Sequence, residues 1–275
     1  MDSTSPTTAA LPSLLRPNDP GVSQTLNPGG SAPILLVCCH AGRAIPAALG
    51  DLGLDPDARS RHIGWDIGAE PLTRKLSHRL NAPAILGTYS RLVVDPNRAP
   101  GAVDSIPETS DGTVVPGNAG LSEANQAQRL HSVFWPYHNE VAQAYAACLR
   151  RHPDCALVAI HTFTPQLNGC TLRPWEIGIL WNRDQRLARP MIERMQAETE
   201  LTVGDNEPYS GQQFGFTVDY HAGNKGLPHV AIEVRQDLVL SEMQIDGWVD
   251  VLADTLTHAL KAAELWDGEP AVGST

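Results

Sequence analysis

Short apolar segments alternate along this chain with longer segments whose apolar residues recur at helical spacing. The apolar segments are residues 33–39, 156–160 and 230–234, and the helical ones are residues 66–80, 185–197 and 245–263. A continuous apolar run is typical of a strand that is buried on both faces of a sheet. The alternation therefore predicts one α/β domain around a largely parallel or mixed sheet, with helices on both faces.

The remaining segments carry weaker patterns. Residues 84–86, 92–94 and 176–181 are further candidate strands. Residues 99–120 are rich in Gly, Pro, Ser and Asp, and they predict a long loop. A long helical pattern begins at Ser122 and should be kinked or interrupted at Pro136.

The length of 275 residues is sufficient for one large domain with a sizeable core. Residues 1–31 are rich in Ser, Thr, Pro and Gly and predict a disordered arm, and residues 267–275 predict a flexible tail. Residues 32–266 would then form a single domain. The N-terminal segment lacks the basic start and apolar core of a signal peptide. No apolar run approaches the ~18 residues of a membrane span, so we expect no membrane partner.

The net charge is −11 and the pI is near 5.3, with no basic cluster to follow a phosphate backbone. A nucleic-acid partner is therefore not expected.

The five cysteines are odd in number, include the adjacent pair Cys38 and Cys39, and lack a CxxC spacing. These features argue against a disulfide framework and against a thiolate zinc site, and they favour a cytoplasmic location. The sequence leaves the oligomeric state open.

Chemically versatile side chains follow or end the predicted strands. They are His40, Asp95, Asn97, Arg98, His161, Glu233 and Arg235, with Asp66 at the start of a helix. Ligands of open α/β sheets bind at the carboxyl ends of strands, so these residues should meet. Imidazole and carboxylate ligands with a nearby carboxylate base suit metal-assisted hydrolysis. His40, His161 and Asp66 would be the metal ligands, and Glu233 would be the general base. Asn97 and Arg98 would bind the substrate.

Each of these residues could instead have a purely structural role. A histidine at a strand end is usually structural, and no HExxH, HxH or HxxE spacing is present. Glu233 could pair with Arg235, and Asp66 could be only a helix cap. Arg98 could be a solvated loop residue. Four other histidines compete for the same roles, namely His62, His138, His221 and His229.

Six blocks, taken in order, resemble the N-formylglutamate amidohydrolases, a family related to carboxypeptidase-like zinc hydrolases. The blocks are LLVCCHAGRAIP, RHIGWDIGAEPL, YSRLVVDPNRAP, WPYHNEV, AIHTFTPQLNG and LPHVAIEVRQDLV, spread over residues 34–238. Each block is weakly specific alone, but six in order are strong together. The resemblance implies a three-layer α/β/α sandwich with a mixed, mostly parallel sheet. It also implies a metal-dependent hydrolase that releases formate or another acyl group from an N-acyl amino acid, with N-formyl-L-glutamate as the leading substrate.

The resemblance assigns roles to individual residues. His40 and His161 match metal ligands of the family, and Glu233 matches its catalytic glutamate. Asn97 and Arg98 match a pair that binds the substrate's α-carboxylate. The resemblance further suggests Arg91 and Arg235 as positive charges for a second carboxylate, and His138 as a residue that orients substrate or stabilises an oxyanion. Zn²⁺ is the expected cofactor, although the same ligands suit Mn, Fe, Co and Ni.

Two positions depart from the family pattern. The related carboxypeptidase-like pattern has a glutamate three residues after the first histidine, where this chain has Arg43, so Asp66 is the substitute third ligand. The family often has an acidic residue before that histidine, where this chain has Cys39. These departures keep a second function open, a carboxylate-binding protein that has lost the metal. A related metallopeptidase or amidase, and a cysteine hydrolase that uses Cys39, also stay open as functions.

Overall fold

The computed structural model describes residues 12–268, so residues 1–11 and 269–275 lie outside the description. Within the described part, the strands are β1 (Ser23–Leu26), β2 (Ile34–Cys38), β3 (Ala84–Gly87), β4 (Thr109–Ser110), β5 (Thr113–Val114), β6 (Ala156–Phe163), β7 (Ile177–Leu180), β8 (Val203–Asp205) and β9 (His229–Arg235). The helices are α1 (Pro56–Ser60), α2 (Ala69–Leu80), α3 (Glu123–Arg129), α4 (Trp135–Arg151), α5 (Ala188–Glu198), α6 (Phe216–His221) and α7 (Glu242–Ala262).

Seven strands form one sheet in the order β1-β3-β2-β6-β9-β7-β8. The pairs β2–β3, β2–β6, β6–β9 and β7–β8 are parallel, while β1–β3 and β7–β9 are antiparallel. The central strands β2 and β6 are buried throughout, as their continuous apolar sequences predict. The mixed, mostly parallel sheet is therefore confirmed.

Helices cover both faces of this sheet. On one face, α2, α5 and α7 pack apolar side chains such as Leu76, Met191 and Leu252 against β2, β6 and β9. On the other face, α4 and α6 contribute Tyr137, Val141 and Val218 to a second cluster. The resulting α/β/α sandwich has the three layers that the family resemblance implies.

Two predictions about local structure are wrong. Ser23–Leu26 belong to the predicted disordered arm, yet they pair with β3 and extend the sheet by one edge strand. Residues 92–94 form turns rather than a strand, because the Val93 amide donates to the Ser90 carbonyl instead of a ladder partner. Their apolar side chains are nevertheless buried, in a separate cluster beneath the loops.

The helical pattern that begins at Ser122 is interrupted where proline predicts. The Ser122 side chain caps α3, and a π-helical turn over Leu130–Phe134 connects α3 to α4. Pro136 occupies the first turn of α4, where its missing N–H is tolerated. The predicted loop over residues 99–120 contains the small hairpin β4–β5 and a 3₁₀ turn over Pro116–Asn118.

The structure contains a disulfide bond between Cys148 and Cys155, against the expectation from cysteine spacing. Cys148 lies near the end of α4 and Cys155 directly precedes β6, so the tight turn between these elements brings the two thiols together. Sequence spacing does not reveal such a turn. The bond removes support from the cysteine argument for a reducing compartment.

None of the helices within residues 12–268 is long and apolar enough to cross a membrane.

Candidate active site

A cavity opens at the carboxyl ends of the central parallel strands. It encloses about 820 Å³ when the space open to solvent at its mouth is counted. Predicted residues that line it are His40, Asp66, Arg91, Asn97, Arg98, His161 and Glu233. Seven of the nine predicted site residues therefore line one cavity, to which several segments of the chain contribute.

Asp66 joins the two predicted histidine ligands. Its Oδ2 atom lies 2.7 Å from Nδ1 of His161 and 3.3 Å from Nδ1 of His40. The backbone amide of Asp66 donates to the His40 carbonyl at 2.9 Å, which fixes the loop before α2 against the end of β2. All three side chains are buried. The hypothesis that Asp66 is only a helix cap is therefore excluded, since Gly68 occupies the N-cap of α2.

Asp95 holds the opposite side of the His40 ring. Its Oδ1 atom lies 2.8 Å from Nε2 of His40 and accepts a hydrogen bond from the Asn97 amide at 2.8 Å. Its Oδ2 atom accepts from Arg91 at 2.6 Å, and Arg91 also lies 3.5 Å from Asp66. Sequence reasoning placed Asp95 after an apolar segment but gave it no role. The sequence feature that could have identified Asp95 is its position close to Asn97 and Arg98, to which a substrate role was assigned.

The buried charges of this cluster stabilise one another. Burial disfavours the charged form of Asp66, but His40 and His161 outweigh it and hold the pKa of Asp66 well below its usual value. Burial likewise opposes ionisation of Asp95, and Arg91 and His40 outweigh it and hold its pKa low. Burial also acts to lower the pKa of His161, but Asp66 outweighs it and the pKa is raised. The cluster therefore keeps two carboxylates ionised at the base of the cavity.

The same residues could hold a metal ion. One ligand atom from each of His40, Asp66 and His161 lies within 4.8 Å of the others. Two imidazoles and one carboxylate are a common ligand set of catalytic zinc sites, in which a fourth position stays open for water or substrate. The Asp95 contact also leaves only Nδ1 of His40 facing Asp66. The donor chemistry and burial of these residues fit a divalent transition metal.

Glu233 lies opposite His161 in the register of β6 and β9. Its side chain lines the cavity and is partly buried. Burial is the largest effect on its carboxyl group, and the pKa of Glu233 is raised to about 7. A carboxyl group with a pKa near neutrality suits general acid–base chemistry. Arg235, which the sequence offered as an ion-pair partner of Glu233, instead bonds Asp237 at 2.8 Å.

Asn97 and Arg98 form a polar wall of the cavity. The Asn97 side-chain oxygen accepts from the Thr217 amide at 3.0 Å, so its amide group has a fixed orientation. The Arg98 guanidinium stacks 4.7 Å from the centre of the Phe214 ring and donates to Asp104 at 2.6 Å. Arg98 is therefore an ordered cavity residue rather than a solvated loop side chain.

The other two predicted residues, His138 and Arg235, do not line the cavity. His138 is buried on α4, where Nε2–H donates to the Pro96 carbonyl and Nδ1 lies 2.9 Å from Nε2 of His221. It therefore supports the segment that carries Asn97 rather than reaching the cavity itself. The Arg235 guanidinium lies near the carbonyl oxygens of Arg173 and Trp175, at 3.4 and 3.3 Å, beyond the cavity edge.

The positions that depart from the family pattern also lie outside the cavity lining. Arg43 is exposed and stacks 5.1 Å from the centre of the Trp65 ring. Cys39 is fully buried, and its thiol donates to the Thr217 hydroxyl at 3.2 Å. Gly42 is not open toward a ligand, because a Cβ atom there would overlap the backbone of Thr88. The small residues after His40 thus permit close packing of two loops.

Two further cavity residues, Asn182 and Asp219, were given no role from the sequence, and His229 was named only as one of several competing histidines. Asn182, Asp219 and His229 line the part of the cavity at the start of β9. Asn182 follows β7 closely, and Asp219 belongs to the short helix α6, for which the sequence gave no clear pattern. Their proximity depends on the antiparallel placement of β7 beside β9, which the alternation of elements does not reveal.

Comparison with known proteins identifies a family and two similar folds. The family model described as N-formylglutamate amidohydrolase matches residues 32–240. The crystal structure of a gene product from Agrobacterium tumefaciens is similar at a TM-score of 0.87 and 34% identity, covering 91% of this chain and 99% of that one. An N-formylglutamate amidohydrolase from Ralstonia eutropha JMP134 shares the fold at a TM-score of 0.66 and 19% identity, covering 89% and 98%. No curated protein sequence matched the chain.

The family match covers most of the chain and includes every residue that lines the cavity. The chain belongs to the N-formylglutamate amidohydrolase family.

Proposed function

We propose that this protein is a metal-dependent amidohydrolase that removes the acyl group from N-acyl amino acids. The observation that carries the proposal is the buried set of His40, Asp66 and His161 with Glu233 opposite in one cavity. N-formyl-L-glutamate, cleaved to L-glutamate and formate, is the first substrate to test because the matched family is described by that activity.

Zinc is the proposed metal, held by His40, Asp66 and His161. Bound there, it would polarise the scissile carbonyl and lower the pKa of a bound water. Asp95 positions the His40 ring through Nε2, a common arrangement behind a metal-binding histidine. Arg91 in turn neutralises Asp95 and orients its carboxylate.

Glu233 is the proposed general base. It takes a proton from the attacking water as the new C–O bond forms at the acyl carbon. It then delivers that proton to the amide nitrogen as the C–N bond breaks, so one water is consumed and no net proton is released by Glu233. Its raised pKa, caused mainly by burial, suits both halves of this transfer.

Asn97 and Arg98 are proposed to bind the substrate's α-carboxylate. An arginine fork with a neighbouring amide gives geometric selection for a carboxylate. The stacked position of Arg98 on Phe214 restricts its rotamers, so little side-chain entropy is lost on binding.

Elemental analysis and a formate-release assay test the proposal together. Protein purified without added metal should contain about one zinc ion per chain, as a single three-ligand site requires. Formate release from N-formyl amino acids should stop with a chelator and return with zinc. Protein that holds no metal, and that stays inactive on every N-acyl amino acid after zinc is supplied, would instead favour a carboxylate-binding protein.

A further inference from the structure

The cavity extends along β9 well beyond the proposed catalytic groups. Side chains of His229, Ala231 and Glu233 all line it, because alternate residues of a strand face the same side. His229 and Glu233 are four residues apart, so their backbones are separated by about 13 Å. The far end of the cavity, at His229, therefore lies at a distance suited to the end of a long substrate side chain.

His229 presents an unpartnered acceptor to this far end. The residue is only 3% exposed. Its Nδ1 atom lies 2.9 Å from the Leu227 carbonyl and must donate there, because a carbonyl can only accept. In the neutral ring Nε2 then carries a lone pair, and this atom has no hydrogen-bond partner within residues 12–268.

Asp219 presents a second acceptor to the same space. Its Oδ1 atom lies 3.9 Å from Nε2 of His229, too far for a direct hydrogen bond. The Asn182 amide lies 3.3 Å from both carboxylate oxygens and brings no charge. Among the ion pairs of the described residues, Asp219 has no lysine or arginine partner.

A missing side chain keeps the space between these acceptors open. A Cβ atom at position 223 would lie 3.0 Å from Asp219 Oδ1 and 3.3 Å from His229 Nε2. Gly223 avoids that crowding. A single donor group could therefore sit between the two acceptors, since atoms 3.9 Å apart can both be reached at ordinary hydrogen-bond length.

Two pairs of residues that line the cavity differ in hydrogen-bonding character. Asn97 and Arg98 offer donors, whereas Asp219 and His229 offer acceptors. A neutral donor would satisfy His229 but would bring no positive charge to Asp219. A cationic nitrogen satisfies both groups, whereas a glutamate γ-carboxylate placed there would face another carboxylate.

We propose that Asp219 and His229 form the side-chain subsite and bind a cationic nitrogen, so that the substrates are N-acyl derivatives of basic amino acids such as lysine and arginine. The inference rests on the proposed amidohydrolase function and refines its substrate class. Asp219 supplies the negative charge and His229 supplies the second acceptor. The length of β9 between His229 and Glu233 gives the distance that a long substrate side chain would span.

Binding to the metal-free protein tests the subsite without requiring catalysis. Isothermal calorimetry would compare N-formyl-L-lysine with N-formyl-L-norleucine, which has the same carbon chain without the amine, and with N-formyl-L-glutamate. We expect at least about tenfold tighter binding of the lysine derivative, the effect of one charge-assisted hydrogen bond. Asp219→Asn should bring the lysine-to-norleucine ratio close to one. Asp57→Asn, an exposed charge on α1 outside the cavity lining, should keep the wild-type ratio.

Formate release by the zinc-loaded protein from the same compounds separates the two proposals. Selective binding of the lysine derivative without any hydrolysis would retain the subsite and overturn the hydrolase. Hydrolysis with equal or better use of the norleucine or glutamate derivative would retain the hydrolase and overturn the subsite. A lysine preference that survives Asp219→Asn would also overturn it. Because each ratio is internal to one variant, partial loss of folded protein does not change it.

Discussion

The imidazole Nε2 atom of His40 lies 2.8 Å from the carboxylate Oδ1 of Asp95, and both residues are buried. The contact leaves Nδ1 as the ring nitrogen that faces Asp66. Asp95 reaches His40 from a loop, and Arg91 four residues earlier neutralises its charge. The orientation of a proposed metal ligand thus depends on two residues outside the proposed ligand set.

Asp95→Asn should weaken metal binding by about 10- to 100-fold, as losses of partners behind metal ligands commonly do. The amide cannot supply the negative charge that orients His40 and pairs with Arg91. Zinc affinity measured by competition with a chromogenic chelator checks this. Asp57→Asn is the matched control and should bind zinc as the wild type does. Equal affinities of the Asp95 variant and the wild type would contradict the positioning role.

His161→Ala should abolish stoichiometric zinc binding, because it removes one of three proposed ligands and leaves Asp66 without its closest partner. Elemental analysis after gel filtration measures the metal content. His78→Ala removes an exposed histidine of α2 and should leave the content unchanged. If the His161 variant retains a full complement of zinc, the proposed ligand set is wrong.

Glu233→Gln should lower kcat by about 100- to 10,000-fold, the usual contribution of a general base, while zinc binding persists. Gln keeps the shape of the side chain but cannot take a proton from water. Steady-state formate release and zinc content, measured on the same preparation, separate the two effects. Glu193→Gln, on the exposed side of α5, is the control. Near-normal kcat in the Glu233 variant would require a different base.

Arg98→Gln should raise KM by about tenfold or more, because a charged hydrogen bond to the substrate carboxylate is lost. Arg235→Gln provides an informative comparison, since sequence reasoning gave both arginines a substrate role. Arg235 bonds Asp237 and lies outside the cavity lining, so its replacement should leave KM near the wild-type value. A larger KM effect at Arg235 than at Arg98 would reverse this assignment.

Stability should fall in mildly acidic solution because His138 is buried in the neutral form. Burial lowers the pKa of His138 from 6.5 to about 4. Between those values the unfolded chain binds the extra proton, so the free energy of unfolding decreases as pH falls from about 6.5 to about 4. The loss is about 1.4 kcal/mol per pH unit.

His138→Gln should reduce this pH dependence without removing it, because burial also lowers the pKa of the neighbouring His221, to about 3. The substitution also lowers stability at pH 7 by removing a buried partner of His221. Urea unfolding at pH 7 and pH 5 measures the difference in each protein. Exposed His78→Gln should retain the wild-type difference. An undiminished difference in the His138 variant would show that another group causes it.

The alternation of apolar and helical segments predicted the layers of the fold because burial on both faces leaves a continuous apolar run in the sequence. β2, β6 and β9 were predicted in this way, with small errors at their ends. β1 was missed because an edge strand needs no such run, and residues 92–94 were overpredicted because buried turns can be equally apolar. Local composition reports burial and does not report hydrogen-bond partners.

The sequence by itself predicted that His40, His161 and Glu233 lie close together, because the carboxyl ends of parallel strands meet at one edge of the sheet. The tertiary structure alone decided that Asp95 holds His40, that His138 and Arg235 stay outside the cavity, and that Asp219 faces His229. These relationships join segments from different strands, helices and loops. Their side-chain directions are fixed by packing across the sheet, which no single stretch of sequence encodes.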